Sequence, residues 1–473
     1  MTEALPPVPP PDDHVPPPGE RWSRRSFLGG ALVTGLAVAG TKGAAARTAA
    51  RQSVLGGAEL RFPGSRPFPK LPAGAESLPQ IQNIIVLMME NHSYDNYFGT
   101  LGRGDGFAFR HRKPVDSNPW SGHPREALQA FHMPSECQLH GAPGQNWHAS
   151  HTAWNYGRNN GFVDASGPVA MGYWTAADLP FYHSMARTFP VCDRWFCSTL
   201  CQTYPNRRFL LGGTANGLVS TSVSSLTDPL PPNGIILDQL DAHGISWANY
   251  YTTLPGTAVW VNGITGRSGN LKPIDKFFTD CAAGTLPAVT FVDPDFENAS
   301  EEDPQNISIG EQFGARVVNA VMHGPQWGST VLLWMHDEHG GYYDHVPPPR
   351  AVRPDNVDPV VARPPGTPDA ADLYDRYGFR VPAVVVSPFA RKNYVSHVVH
   401  DHTSVLKLIE TKWNLPALTY RDANADNLLD CLDFKAAAFR HPPTLSAPHV
   451  STCTPGEVGG PIPPPSAIVH RNS

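Results

Sequence analysis

Charge is scarce in this chain of 473 residues. Asp, Glu, Lys and Arg make up 16% of it, and the formal net charge is only −6. The first fifty residues hold five Lys/Arg against four Asp/Glu, a balance of +1, so the remainder carries −7. That lack of basic clustering argues against a dedicated nucleic-acid binder. The seven cysteines contain no C-x-x-C pair, so a thiolate zinc ribbon has no sequence support. Cys192, Cys197 and Cys201 lie close together and read as a disulfide or as buried thiols. Seven is an odd number, which leaves at least one thiol free or paired with another chain. After the first fifty residues no apolar run approaches the ~20 residues that span a bilayer. What the chain has in quantity is 50 Pro and 42 Gly, which imply long loops, around a 41% hydrophobic content sufficient for a sizeable core.

The N-terminus reads as an address. Met1 to Glu20 is a Pro-rich, disordered lead. It is followed by Ser23-Arg24-Arg25-Ser26-Phe27-Leu28, an apolar stretch from Gly29 to Gly40, and the small residues Ala44-Ala45-Ala46. Twin arginines, a moderate apolar run and a small-residue region match a bacterial twin-arginine export signal. The stretch is short and rich in Gly and Ala for a membrane anchor. The expectation is a protein handled by the twin-arginine machinery, folded before export, and located in the cell wall or outside the cell. Residues 1–50 form this segment, 78–440 a catalytic domain with loop insertions, and 441–473 a loose Pro-rich tail.

Within 78–440, short apolar runs alternate with helical patterns. Ile84 to Met89, Ile245 to Tyr250, Ala288 to Val292, Thr330 to Met335 and Val381 to Val386 read as strands. Helices are expected over Thr175 to Ala186 with Thr175 as N-cap, from Pro205 to Leu211, over Gly310 to His323, and over Thr403 to Trp413 as an amphipathic helix. Glu90 to Phe107 and Arg110 to Gln145 read as loops. Such alternation predicts an α/β layered fold with a mainly parallel sheet.

Two strand ends carry the chemistry. Ile84 to Met89 runs into Glu90-Asn91, and Thr330 to Met335 runs through His336 into Asp337-Glu338-His339-Gly340-Gly341. Ligands bind beyond the carboxyl ends of parallel strands. If these two strands are neighbours, Glu90, Asn91, Asp337 and Glu338 converge. Three carboxylates at one point demand a cation, and an oxygen-only shell favours a hard divalent ion over a thiophilic one. Thr203, ahead of a helix start in Cys201-Gln202-Thr203-Tyr204-Pro205-Asn206-Arg207, is a candidate nucleophile. The positive helix end would favour its alkoxide and hold phosphate oxygens, with Asn206 and Arg207 as donors to substrate. Of the many histidines (His140, His148, His151, His339, His345, His397, His400 and His402 among them), His339 is the best candidate for acid–base work and His151 the second. Asp344-His345 and Asp401-His402 read instead as loop-orienting pairs.

Glu90-Asn91-His92-Ser93-Tyr94-Asp95-Asn96-Tyr97-Phe98-Gly99 resembles the E-N-x-S-[FY]-D-x-[YF]-F-G signature of the bacterial phospholipase C and acid phosphatase family of the alkaline phosphatase superfamily. Thr203 to Arg207 resembles its T-x-P-N-R segment, and Asp337 to Val346 its D-E-x-G-G-x-x-D-H-V segment. The resemblance spans about Gln82 to Leu415. It implies a three-layer α/β/α sandwich and a phosphoester hydrolase with one metal held by Glu90, Asn91, Asp337 and Glu338. Thr203 would be both fifth ligand and nucleophile, passing through a phosphothreonine. The substrate it implies is a phosphatidylcholine-type lipid or a soluble phosphomonoester. The chain departs from the pattern at Gln145-Asn146-Trp147, where many members have His-Ser-Trp, and at Glu302-Asp303-Pro304, where many have Asp-His-Pro. Two pocket histidines are thereby missing, and the general acid is left unassigned.

Overall fold

The computed structural model describes residues 60–138, 143–361, 372–453 and 462–470. Residues 1–50, expected to be an export signal, and His140 lie outside them. All described residues belong to the compact unit Val54–Ser473.

Eight strands form the main sheet: β1 (Asn83–Met89), β2 (Val191–Cys192), β3 (Trp247–Tyr251), β4 (Leu271–Pro273), β5 (Val289–Val292), β6 (Thr330–His336), β7 (Ala383–Val386) and β8 (Val395–Ser396). Their spatial order is β4-β3-β5-β1-β6-β7-β2-β8. The run from β4 to β6 is parallel throughout, β7 is antiparallel to both β6 and β2, and β8 is parallel to β2. The sheet is therefore mixed and mainly parallel, as expected, with helices packed around it. Every residue of β1 and of β6 is buried. That two-sided burial is why these strands are continuous apolar runs rather than alternating ones. Each fully buried Leu, Ile or Met contributes about 1.5–3 kcal/mol of transfer free energy.

The strand predictions hold to within two residues and three of the four helix predictions to within three, whereas the Thr175 helix and the loop predictions need correction. Glu90 to Phe107 contains a helix, α1 (Tyr94–Phe98), capped by the Ser93 hydroxyl accepting from the Asn96 N–H. The predicted Thr175 helix starts at Pro180 instead, as α2 (Pro180–Thr188). Thr175 and Asp178 close a separate turn through the Asp178 carboxylate, and Pro180 takes the early helical position where its missing N–H costs nothing. The next helix, α3, runs over Thr203–Gly212. Another, α4 (Ile307–His323), is capped by Asn306. The last, α5 (His402–Trp413), is buried at all twelve positions rather than amphipathic, and Asp401 and Ser404 form its capping box.

Arg110 to Gln145 is no mere excursion. Glu126–Gln129 pairs with Ser117–Pro119 on one side and with the tail strand Ile468–His470 on the other, and Leu128 and Met133 are fully buried. The tail is thus anchored rather than loose, and a Cys137–Cys453 disulfide fixes it again. The folded part also begins before Leu78: the Asn414 side chain donates to the Phe68, Leu71 and Pro72 carbonyls. Cys192, Cys197 and Cys201 are buried free thiols, as are Cys281 and Cys431.

Candidate active site

The register of β1 on β6 pairs Met89 with His336, so Glu90 and Asp337 leave the sheet side by side. The Asp337 N–H donates to the Met89 carbonyl (3.2 Å), which ties the two exits together. Asn91 adopts a left-handed backbone, φ +59°, and Gly340 one of φ +65°. A Cβ at Gly340 would lie 2.0 Å from the Asn91 carbonyl oxygen, so only glycine lets the two loops close on each other. The Gly340 N–H holds the Glu338 Oε2 at 2.7 Å. Gln145 bridges the far side: its Oε1 accepts from the Asn91 amide (3.0 Å) and its Nε2 donates to Glu302 (3.4 Å).

Three oxygens in this cluster are buried and make no hydrogen bond: Asn91 Oδ1, Asp337 Oδ1 and Glu338 Oε1. Buried acceptors are rarely left unpaired, and these belong to three of the four predicted metal ligands. The fourth, Glu90, is buried against Glu302. Burial first, and then the Glu302 charge, pushes the Glu90 carboxyl well above its usual range. Burial, followed by the Asp337 charge, does the same to Glu338. Burial also raises Asp337 and Glu302. The donor set, oxygen throughout with excess negative charge and orphaned lone pairs, fits a hard divalent cation.

The cationic group the chain itself places here is Arg207. Its Nε lies 2.9 Å from Asp337 Oδ2, its Nη2 3.3 Å from Glu90 Oε1, and its Nη1 3.7 Å from Asp293 Oδ1. The guanidinium, predicted as a substrate donor, is thus engaged with the acidic cluster itself. Arg207 follows Thr203 by one helical turn, and residues at i and i+4 share a helix face. Thr203 is buried and is the first residue of α3, with Gln202 as its N-cap. Thr203 therefore lies on the same face of α3 as Arg207, whose guanidinium reaches the acids. Asn206, also predicted to touch substrate, does something else. Its Oδ1 accepts from the Thr199 N–H and its Nδ2 donates to the Cys201 and Gln202 carbonyls. Asn206 shapes the loop that delivers Thr203.

A family model for the Phosphoesterase family matches residues 81–416. The chain belongs to the Phosphoesterase family. Phospholipase C B of Mycobacterium tuberculosis is 30% identical over 91% of this chain and 92% of its own length. The non-hemolytic phospholipase C of Pseudomonas aeruginosa is 28% identical over 83% of this chain and 60% of its own length. Non-specific phospholipase C3 of Arabidopsis thaliana is 27% identical over 75% and 74%. A solved Vibrio parahaemolyticus protein described as in the alkaline phosphatase superfamily aligns over 77% of this chain and 74% of its own, at 10% identity and a TM-score of 0.39. With this membership the chain is a phosphoric ester hydrolase.

The family signatures contain residues with structural rather than chemical tasks. Asp95 of the first and Asp344 of the third meet at the fully buried Arg380, at 3.0 and 2.8 Å. His345 closes the same clamp on Asp95. The Asp344-His345 pair is thus loop-orienting, as predicted. His402 is likewise a support: its Nε2 lies 2.6 Å from the Asp337 carbonyl, while Trp195 donates to its Nδ1. Burial lowers His402 to about 4, so it is a neutral donor to that carbonyl at pH 7. His339 lies with Nδ1 3.1 Å from Glu338 Oε2 and packs on Phe379, and burial lowers it to about 3. His151 is spent on the Trp147 carbonyl and Asp372, so it is not free to meet substrate.

Residue-by-residue reading missed Glu302, Gln145 and Asp293 as members of the site. For Glu302 and Gln145 a signal existed. Both fall at the positions where the chain departs from the family pattern, and the two side chains hydrogen-bond to each other. Asp293 follows β5, the strand on the other side of β1, so strand order alone would place it there.

Proposed function

We propose that this hydrolase is a metal-dependent phospholipase C that cleaves phosphatidylcholine-type lipids into diacylglycerol and a phosphorylated head group. The observation that carries the reading is the pairing of orphaned ligand oxygens on Asn91, Asp337 and Glu338 with a threonine at the first position of α3. The phospholipase C names of the relatives support the substrate class. One divalent ion held by Glu90, Asn91, Asp337 and Glu338, with Thr203 as fifth ligand, would supply Lewis-acid polarisation and lower the pKa of the threonine hydroxyl.

The rest follows from the chain's own groups. Thr203 Oγ1 attacks phosphorus as the bond to the glycerol oxygen breaks, and the diacylglycerol leaves with a proton. The result is a phosphodiester on Thr203. Water then cleaves the Thr203–phosphorus bond, freeing the phosphorylated head group and restoring the hydroxyl. The N–H groups of the first turn of α3 face the non-bridging oxygens. Arg207 holds Asp337 and Glu90 in place, and Asn206 holds the approach loop.

A second reading, a phosphatase acting on soluble phosphomonoesters, is favoured by one feature. A lipid substrate needs an apolar approach to the site; of the nearby-in-sequence aromatics that could build one, Trp147, Tyr173 and Trp174 are buried in the core and Trp154 is half-buried, leaving Tyr156, 74% exposed, as the open one. Hydrolysis of phosphatidylcholine and of p-nitrophenyl phosphate by the purified protein, with and without chelator, separates the two. Phosphocholine release that is lost to chelator and restored by divalent ion is the expected result. Turnover of the aryl phosphate alone would overturn the lipid reading. Export by the twin-arginine route, with transient contact at a membrane surface, completes the proposal and is tested by replacing Arg24-Arg25 with Lys-Lys and following the protein's location.

A further inference from the structure

Three buried side chains from separate parts of the chain meet at the sheet edge, outside the acidic site. Cys192 ends β2, His400 follows β8, and Cys431 closes the turn Leu429–Cys431. One ligand atom from each lies within 4.8 Å of the others. The two sulfurs are 3.9 Å apart. A disulfide requires about 2.05 Å, whereas two thiolates on a tetrahedral zinc, each at about 2.3 Å, stand about 3.8 Å apart. The chain does form a disulfide elsewhere, between Cys137 and Cys453, so the wider spacing is particular to this pair. All three residues are almost wholly buried. His400 Nδ1 and Asp430 Oδ1 make no hydrogen bond. The Asp430 carboxylate lies 3.6 Å from His400 Nε2 and is a hydrogen-bond partner of Cys431. Asp426 approaches His400 Nδ1 at 3.4 Å, and Ser396 its Nε2 at 3.0 Å.

We propose that Cys192, Cys431 and His400 bind a thiophilic divalent cation of the zinc class, with Asp430 as the fourth ligand. His400 joins the two cysteines in one cluster and Asp426 and Asp430 in an adjoining one, so a shift of the Asp430 carboxylate toward the sulfurs would close a four-coordinate shell, a structural rather than a catalytic arrangement. Binding would release the two thiol protons. The ion would pin the sheet edge and the turn at Cys431 to the segment that leads into α5, whose first residue, His402, supports the Asp337 carbonyl. This proposal does not depend on the substrate reading.

The test uses the full-length protein with Co²⁺ as probe, because cobalt bound by thiolate gives a near-ultraviolet charge-transfer band that an oxygen-only site does not. The expected result is that band in the wild type, its loss in Cys192→Ser and in Cys431→Ser, and a weaker or shifted band in Asp430→Asn. If the serine variants fail to fold, the wild type alone decides. In mild denaturant, added zinc should slow alkylation of Cys192 and Cys431, and a chelator should abolish that protection. Absence of the charge-transfer band, or a peptide map in which Cys192 and Cys431 are joined by a disulfide, overturns the proposal.

Discussion

Arg207 faces more negative charge than it can balance. Glu90, Asp293 and Asp337 contact it directly, and Glu302 and Glu338 add their charges to the same cluster. Neighbouring substitutions should all lower activity but differ in what else they change. Asp337→Asn removes a ligand and should lower activity by on the order of 10²-fold or more, with reduced metal retention measured by elemental analysis. Thr203→Ala should abolish turnover, a loss on the order of 10³-fold or greater, while metal content changes little. Asn206→Ala leaves the chemistry intact but frees the loop before α3, so it should lower activity and loosen hydrogen exchange at Thr199 to Gln202. The convergence of Glu90, Asn91 and Asp337 was legible in the sequence because strand-end position and residue type coincide. Those of Asn206 and His151 were not, because an amide or imidazole serves a backbone carbonyl as readily as a substrate and only the fold reveals its partner.

At the scale of elements, the site depends on loops clamped from below. Arg380 is buried between Asp95 and Asp344, one from each major signature. Removing the guanidinium leaves two uncompensated buried carboxylates, and Arg380→Ala should cost about 3–5 kcal/mol in denaturant unfolding. His345 adds a pH signature. Burial alone would lower its pKa, but the hydrogen bond and charge of Asp95 raise it to about 9, above the ~6.5 of an unfolded histidine. The protonated form is favoured by folding, so its stabilisation is complete below pH ~6.5 and is lost as the pH rises through about 9. The difference in urea midpoint between wild type and His345→Gln should shrink over that interval. The strands were readable from their apolar runs, since two-sided burial leaves a compositional mark. The helix at Tyr94 was not expected, and the one at Pro180 was expected to start at Thr175. Their starts are fixed by Ser93, Asp178 and Pro180 in combination, and short polar caps are common in loops as well.

For the molecule as a whole, the tail closes the fold. Ile468–His470 extends the small sheet and Cys453 bonds to Cys137, 316 residues away. Cys137→Ala should destabilise the protein by about 2–5 kcal/mol and make the tail sensitive to limited proteolysis. Proline content suggested a loose tail because it does suppress regular structure. What composition cannot show is a single long-range bond, or a three-residue strand that finds an edge.

The central claim is that Thr203, delivered to the acidic cluster by α3, is the atom that takes the phosphoryl group. Rapid acid quench during turnover of phosphatidylcholine, followed by mass spectrometry of the peptide containing Thr203, tests it most directly. The account predicts a phosphocholine adduct on Thr203 that is absent from Thr203→Ala and from chelated protein. Active turnover with an unmodified Thr203, or undiminished hydrolysis by Thr203→Ala, would contradict it.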